Sequence, residues 1–229
     1  PLRPPFDPSR RRGLAFSTDG EWLAATGAEG FEYWRRNDES TFFVPSGPCS
    51  ALAFAPGEMV LATGVAGRGD PEAGDRKVRI FDLTTSESVP SSRRIGQFTS
   101  EAMALGWAAN GRTLMAISPA GTIRMFSLAS NAVVRTLRGG NELTAAALSP
   151  NGRWAARALR SGQIHLTELA GGQTRFRWRE PNPIDVHLDF SANSRLLAAA
   201  GGGQLIRLWE TETGRELPSL RGHTGPVLD

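Results

Sequence analysis

An all-β fold of repeated four-stranded antiparallel sheets is predicted by three features of this 229-residue sequence. A short apolar segment running into a tight turn recurs at Phe16-Ser17-Thr18-Asp19-Gly20, Phe54-Ala55-Pro56-Gly57, Trp107-Ala108-Ala109-Asn110-Gly111, Leu148-Ser149-Pro150-Asn151-Gly152 and Phe190-Ser191-Ala192-Asn193-Ser194. The spacings between these anchors are 38, 53, 41 and 42. A second signature recurs at Phe31-Glu32-Tyr33-Trp34, Val78-Arg79-Ile80-Phe81, Ile123-Arg124-Met125-Phe126, Ile164-His165-Leu166-Thr167 and Ile206-Arg207-Leu208-Trp209. In four of the five units its last residue falls 18 or 19 residues after the anchor. Alternation of apolar and polar residues dominates and no long amphipathic helical period is present, so the pattern is that of strands.

Taken in order, residues 1–12 hold four prolines and Arg10-Arg11-Arg12. Three adjacent charges fall short of an independent polybasic tail, so this stretch reads as an extended linker. The first unit (13–48) predicts strands at 13–17, 21–26, 31–35 and 41–44; the second (49–99) at 49–55, 59–64, 78–83 and near 94–98. The third (100–141) predicts strands at 102–108, 113–118, 122–128 and 133–138. The fourth (142–181) has 143–149, 154–159, 163–169 and 173–179, and the fifth (182–222) has 184–191, 196–200, 205–210 and 215–220. Residues 223–229 would open a further unit, with 226–229 as the start of its inner strand. Asp19-Gly20, Asn110-Gly111 and Asn151-Gly152 suit two-residue hairpin turns with φ > 0 at both central positions. In the second unit the gap between signatures is 27, because a polar, Gly-rich stretch at 66–76 intervenes. That stretch reads as an exposed loop insertion between the second and third strands.

The order of these features, ending in Trp209-Glu210 and then Gly222-His223, resembles a blade of the WD-repeat (WD40) β-propeller family, and the repeat period supports the resemblance. It implies an all-β WD40-type β-propeller with five recognisable four-stranded blades over residues 13–229. Such rings mostly have seven blades, so an incomplete ring is expected, with further blades from the same or another chain. Several positions depart from the family pattern. Arg35 follows Trp34 where the family has Asp, and Phe81-Asp82 stands for Trp-Asp. The hydrogen-bonded His, Ser/Thr, Asp and Trp set of the family is largely lacking: Asp75 matches its turn Asp, but the equivalent turns carry Ala120, Ser161 or Gly203. Blades held by apolar packing are therefore expected.

The formal net charge is +3, and Lys77 is the only Lys. Arg-rich, Lys-poor usage points to a GC-rich, bacterial genome more than to a nucleic-acid partner. The single cysteine, Cys49, excludes an intrachain disulfide, and no acid or His stands beside it to make a nucleophile. It is expected to be buried at the start of an inner strand. No apolar run reaches transmembrane length and no signal-peptide pattern opens the chain, so a cytoplasmic protein without a membrane partner is expected. His165, His187 and His223 lie in separate segments without metal-ligand spacing. Gly201-Gly202-Gly203 lacks the Lys-Ser/Thr of a phosphate loop, and no Gly-x-Ser-x-Gly elbow is present. The inner strands read Leu14-Ala15-Phe16, Ala51-Leu52-Ala53, Ala104-Leu105-Gly106 and Ala145-Ala146-Ala147; only Asp185 and Asp189 add acid. Neither an enzyme nor a cofactor is expected.

One segment invites a nucleic-acid reading. Arg175, Arg177 and Arg179 alternate with Phe176 and Trp178, but period two separates charges from rings, whereas stacking platforms need both on one surface. An outermost strand covering the blade below is expected instead. The first functional expectation is a non-enzymatic protein–protein interaction scaffold or recognition module. In this family, loops joining fourth to next first strands and second to third strands share one rim. Here that rim would carry Glu29, Arg68, Asp70, Arg76, Lys77, Glu101, Glu142, Arg160, Arg179 and Gln204. Its mixed charge favours a protein partner over nucleic acid. The alternative is a C-terminal sensor or regulatory propeller of a bacterial signalling ATPase, kinase or protease-like effector.

Overall fold

The computed structural model describes residues 13–27, 29–37, 40–65, 78–84, 90–95, 101–182 and 185–227. The expected linker at 1–12, the insertion at 66–76, Asp75, and the rim candidates Arg68, Asp70, Arg76 and Lys77 lie outside the described residues. Among the described residues there is no helix, hence none long and apolar enough to cross a membrane. The chain divides into two compact units, 1–102 and 103–229.

The first unit contains two four-stranded sheets. One is formed by β1 (Leu14–Phe16), β2 (Trp22–Thr26), β3 (Phe31–Arg35) and β4 (Thr41–Val44). The other is formed by β5 (Cys49–Phe54), β6 (Val60–Val65), β7 (Val78–Asp82) and β8 (Ser92–Ile95). In both sheets the strands lie side by side in chain order, each antiparallel to the next. The two sheets share one core, in which Phe31, Tyr33, Leu52, Phe54, Leu61 and Phe81 are buried together. Phe31 meets Phe81 edge-on with ring centroids 5.0 Å apart, the offset geometry that aromatic quadrupoles favour. Cys49 is buried at the start of β5, as its apolar strand demands. The last strand of this pair starts two residues earlier than expected, since β8 is Ser92–Ile95, and residues 96–98 of the expected strand lie outside the described residues. Ile95 is fully buried opposite Val78, and that one apolar contact sets the register while Arg93 and Arg94 remain in solvent.

The second unit repeats the plan three times. Its sheets are β9 (Ala104–Trp107), β10 (Thr113–Ile117), β11 (Ile123–Ser127) and β12 (Ala132–Leu137); then β13 (Leu143–Leu148), β14 (Trp154–Leu159), β15 (Gln163–Glu168) and β16 (Gln173–Arg179); then β17 (His187–Phe190), β18 (Leu196–Ala200), β19 (Ile206–Glu210) and β20 (Glu216–Leu220). β14 is almost wholly buried, which its run of Trp, Ala and Leu allows, whereas β16 and β20 alternate between exposed and half-buried positions. On β16 the arginines face solvent while Phe176 and Trp178 pack on the core shared with β19. The rings of Trp178 and Trp209 stack at 4.9 Å, and the Trp178 indole N–H donates to the Gly214 carbonyl at 3.1 Å. Sheets therefore meet through apolar side chains. The Trp154 indole N–H is buried and has no partner among the described residues, whereas that of Trp209 faces the Glu216 carboxylate.

The hairpin turns are not the two-residue type expected. Only the last turn residue is left-handed, with φ of 71° at Gly20, 65° at Gly111, 67° at Gly152 and 60° at Ser194. Each turn closes by a bond to the carbonyl three residues back, as at Gly152 N–H to Ser149 (2.8 Å). The Asx side chain explains the difference. Asn151 Oδ1 accepts from the Ser149 hydroxyl (2.7 Å) and the Arg153 N–H (3.0 Å), holding the preceding residues in a right-handed turn. Ser149 Oγ accepts the Trp154 N–H in return at 2.8 Å, and the Ser17 and Ser191 turns repeat this arrangement. Gly201-Gly202-Gly203 forms the connection expected between β18 and β19. Pro226 and Val227 are not in a strand, and the remainder of the expected further inner strand, 228–229, lies outside the described residues. Val227 has its side chain buried, and its N–H is shared between the carbonyls of Gly201 and Gly203 at 3.3 Å each, so this segment caps the β18–β19 connection. Pro226 beside it has no N–H to give a ladder.

Candidate functional site

All the described rim candidates except Arg179, the last residue of β16, fall on connections between strands, as their polarity requires. In the first unit Glu29 is exposed in the β2–β3 turn, where its carbonyl accepts the Gly47 N–H at 3.0 Å, and Glu101 is half-buried ahead of β9. In the second unit Glu142 precedes β13 and Arg160 follows β14. The structure brings these two together: Arg160 Nε lies 3.1 Å from Glu142 Oε2, with both side chains about three-quarters exposed. Exposed pairs of this kind contribute little to stability, so the pair is a surface feature available to a partner. Arg179 ends β16, and its carbonyl accepts from the Arg207 guanidinium. The Gln204 carboxamide donates to the Thr224 carbonyl at 3.0 Å.

A cleft of about 240 Å³ adjoins this part of the second unit, and the sequence did not single it out. It is lined by the β12–β13 connection at Arg138, Gly139 and Asn141, by Arg157 of β14, His165 of β15 and Thr174 of β16. Two short residues make the approach possible. A Cβ at Gly139 would lie 2.1 Å from the Ala120 carbonyl, and Gly121 has φ of 77°, so the β10–β11 and β12–β13 connections run tight against each other. Arg157 interrupts the apolar run Trp154-Ala155-Ala156-Arg157-Ala158-Leu159. Its Nη1 donates to the Gly121 carbonyl at 3.1 Å and Nη2 to Thr167 Oγ1 at 2.9 Å, while Nε is sealed from solvent without a partner.

No carboxylate among the described residues pairs with Arg157. The nearby acids are engaged elsewhere: Glu142 with Arg160, Glu168 with Arg153 at 3.2 Å, and Glu180 with Arg207 at 3.7 Å. Burial lowers the pKa of Arg157 from the ordinary guanidinium range. His165 sits opposite Arg157 across the β14–β15 ladder, with Nε2 3.0 Å from Gln163 Oε1. Burial first, then the charges of Arg157 and Arg177, push its pKa down. The cleft is thus a positive, partly dehydrated recess whose donors meet only neutral acceptors. The signal in the sequence was the single charge inside an otherwise apolar strand, followed by Arg138-Gly139-Gly140-Asn141 as a connection able to approach it. Among the described residues no group of three or more His, Cys, Asp or Glu is placed to hold a metal ion.

No protein-family model matches the chain, and no curated protein matches it. Among solved structures, the β-propeller domain of Cps50 (Swd1) from Myceliophteria thermophila is similar to it, with a TM-score of 0.72. The two share 16% identity, and the likeness covers 93% of this chain and 72% of that one. Five successive four-stranded antiparallel meanders, the recurrent anchor turns and this likeness show that the chain has the fold of a WD40-type β-propeller.

Proposed function

We propose that this chain is a non-enzymatic scaffold or recognition module that presents its inter-strand connections to a protein partner in the cytoplasm. The observation that carries this reading is the placement of charge. Apolar sheets hold exposed connections of both signs, and the Glu142–Arg160 pair stands on the surface where its groups can exchange one another for a partner's. Protein interfaces use such mixed polar rims, whereas a nucleic-acid surface needs one sign of charge. The WD40-type fold supports a binding role in general; the residues that would perform it are Glu29, Glu101, Glu142, Arg160, Arg179 and Gln204.

The test is affinity capture by the full chain and by a Glu142→Arg/Arg160→Glu double variant, with Arg175→Glu on the outer strand as control. The rim exchange should remove a specific set of bound proteins that the control retains. Identical capture by all three would overturn the assignment of this rim.

A further inference from the structure

Resting on the scaffold reading above, we propose that the cleft between the β12–β13 connection and strands β14 to β16 receives the carboxylate of an acidic side chain on the partner, with Arg157 as its principal anchor. Three observations converge. The recess contains Arg138 and Arg157, with no carboxylate pairing with Arg157 among the described residues. A guanidinium removed from water and given only neutral acceptors is incompletely compensated, and Arg157 has Nε sealed and unpartnered besides. An arriving carboxylate would complete that compensation and accept from two or more donors, the arrangement guanidinium groups favour.

The size of the cleft selects the ligand. At about 240 Å³ it is smaller than the roughly 300–1,000 Å³ that encloses a drug-sized molecule, and it suits a side chain carried in on a longer segment. The Asn141 carboxamide, the Thr174 hydroxyl and the His165 imidazole line the same recess and offer further hydrogen-bonding atoms. Glu142 and Arg160 stand beside it at the surface, where a partner chain bearing the acid would pass.

The probe is N-acetyl-glutamate N-methylamide, titrated into the full chain at fixed ionic strength and followed by the side-chain Nε–H resonances of arginine in NMR spectra. The Arg157 resonance should shift saturably, with a dissociation constant on the order of millimolar, as for a few contacts to one small group. The glutamine analogue should produce no saturable shift. Arg157→Met should abolish the response; its fold is checked by circular dichroism. Arg138→Gln, a change in an exposed connection, should weaken binding about tenfold, and it keeps the test open if the Met variant does not fold. A linear response, an equal response to the glutamine analogue, or an unchanged affinity in Arg138→Gln would overturn the proposal. Inorganic phosphate saturating the site at tenfold lower concentration would overturn the carboxylate assignment in favour of a phosphate group. Because the titration needs no partner, its failure with successful rim capture removes only the cleft. Saturable binding without any rim-dependent capture would overturn the partner-borne source of the acid.

Discussion

Trp209 offers the most searching test of the packing described for the second unit. Its side chain is fully buried, stacks on Trp178 at 4.9 Å and lies beneath the Arg207 guanidinium, 4.9 Å from the ring centroid. Truncating so large an aromatic side chain costs about 3–5 kcal/mol through lost burial and the cavity left behind. The indole N–H faces the Glu216 carboxylate across the β19–β20 ladder and helps to hold its pKa down, so truncation also removes that interaction. Trp209→Ala is therefore expected to cost the full range, about 3–5 kcal/mol. Trp209→Phe keeps a ring against Trp178 while removing the N–H. Its lost packing and its lost interaction with Glu216 should together cost roughly 1–3 kcal/mol, less than the alanine variant. Urea unfolding followed by far-ultraviolet circular dichroism measures both, provided the denaturant slope is unchanged. An alanine variant within about 0.5 kcal/mol of the parent would refute the placement of β19 in the core. A phenylalanine variant as costly as the alanine one would refute the contribution of ring packing against Trp178.

Further predictions follow from other sites. Gly214→Ala should destabilise by about 1–3 kcal/mol or more in urea, since Gly214 has φ of 71° and a Cβ there would lie 2.3 Å from Phe176 Cδ1; an unchanged midpoint would contradict that geometry. Ser149→Ala leaves the buried Trp154 N–H and Asn151 Oδ1 each short of a partner, and should cost about 1–3 kcal/mol by the same assay. Burial raises the thiol pKa of Cys49, so a thiol reagent at neutral pH should react slowly with the native chain and quickly once urea unfolds it; equal rates would place Cys49 at the surface. Folded His165 is held below its ordinary value of 6.5 by burial and by Arg157 and Arg177, with Gln163 as its hydrogen-bond partner. Between the two pKa values the unfolded state binds more protons, so stability falls as pH drops from 6.5 through the folded pKa. The decline in midpoint from pH 7 to 5 should be shallower in His165→Gln, and an unchanged slope would refute the depressed pKa.

The sheets were legible because their signals are local. Phe190 and Trp209 mark strand ends, and Asn151-Gly152 and Asp19-Gly20 mark turns, each within a few residues of the element it defines. The turn geometry was less legible, since Asn-Gly is compatible with two hairpin types and the choice rests on whether the Asx side chain accepts the N–H two residues on, as at Asn110 and Asn151. The start of β8 was less legible because Ser92 and Arg93 carry no apolar signal, and only pairing with β7 across the ladder draws them into the strand. The anion cleft was hidden for a different reason. Arg138, Arg157 and His165 come from three separate strands or connections, and neither period nor motif links them. The rim residues were legible as polar connections, but their pairing was not: Glu142 and Arg160 are 18 positions apart and meet only because β13 and β14 are antiparallel.

The chain-order arrangement of strands has a consequence for how the protein is made. In each of the five described sheets every strand after the first hydrogen-bonds to its immediate predecessor in sequence, so no strand within a sheet must wait for a distant segment. Closing such a hairpin takes about 1–10 µs, whereas a ribosome adds roughly 5–20 residues each second. The edge of each nascent strand can thus be occupied long before the following strand emerges, and the time for which unpaired backbone is available to a neighbouring nascent chain is short. Synthesis, and not the search for partners, sets the pace at which these sheets form.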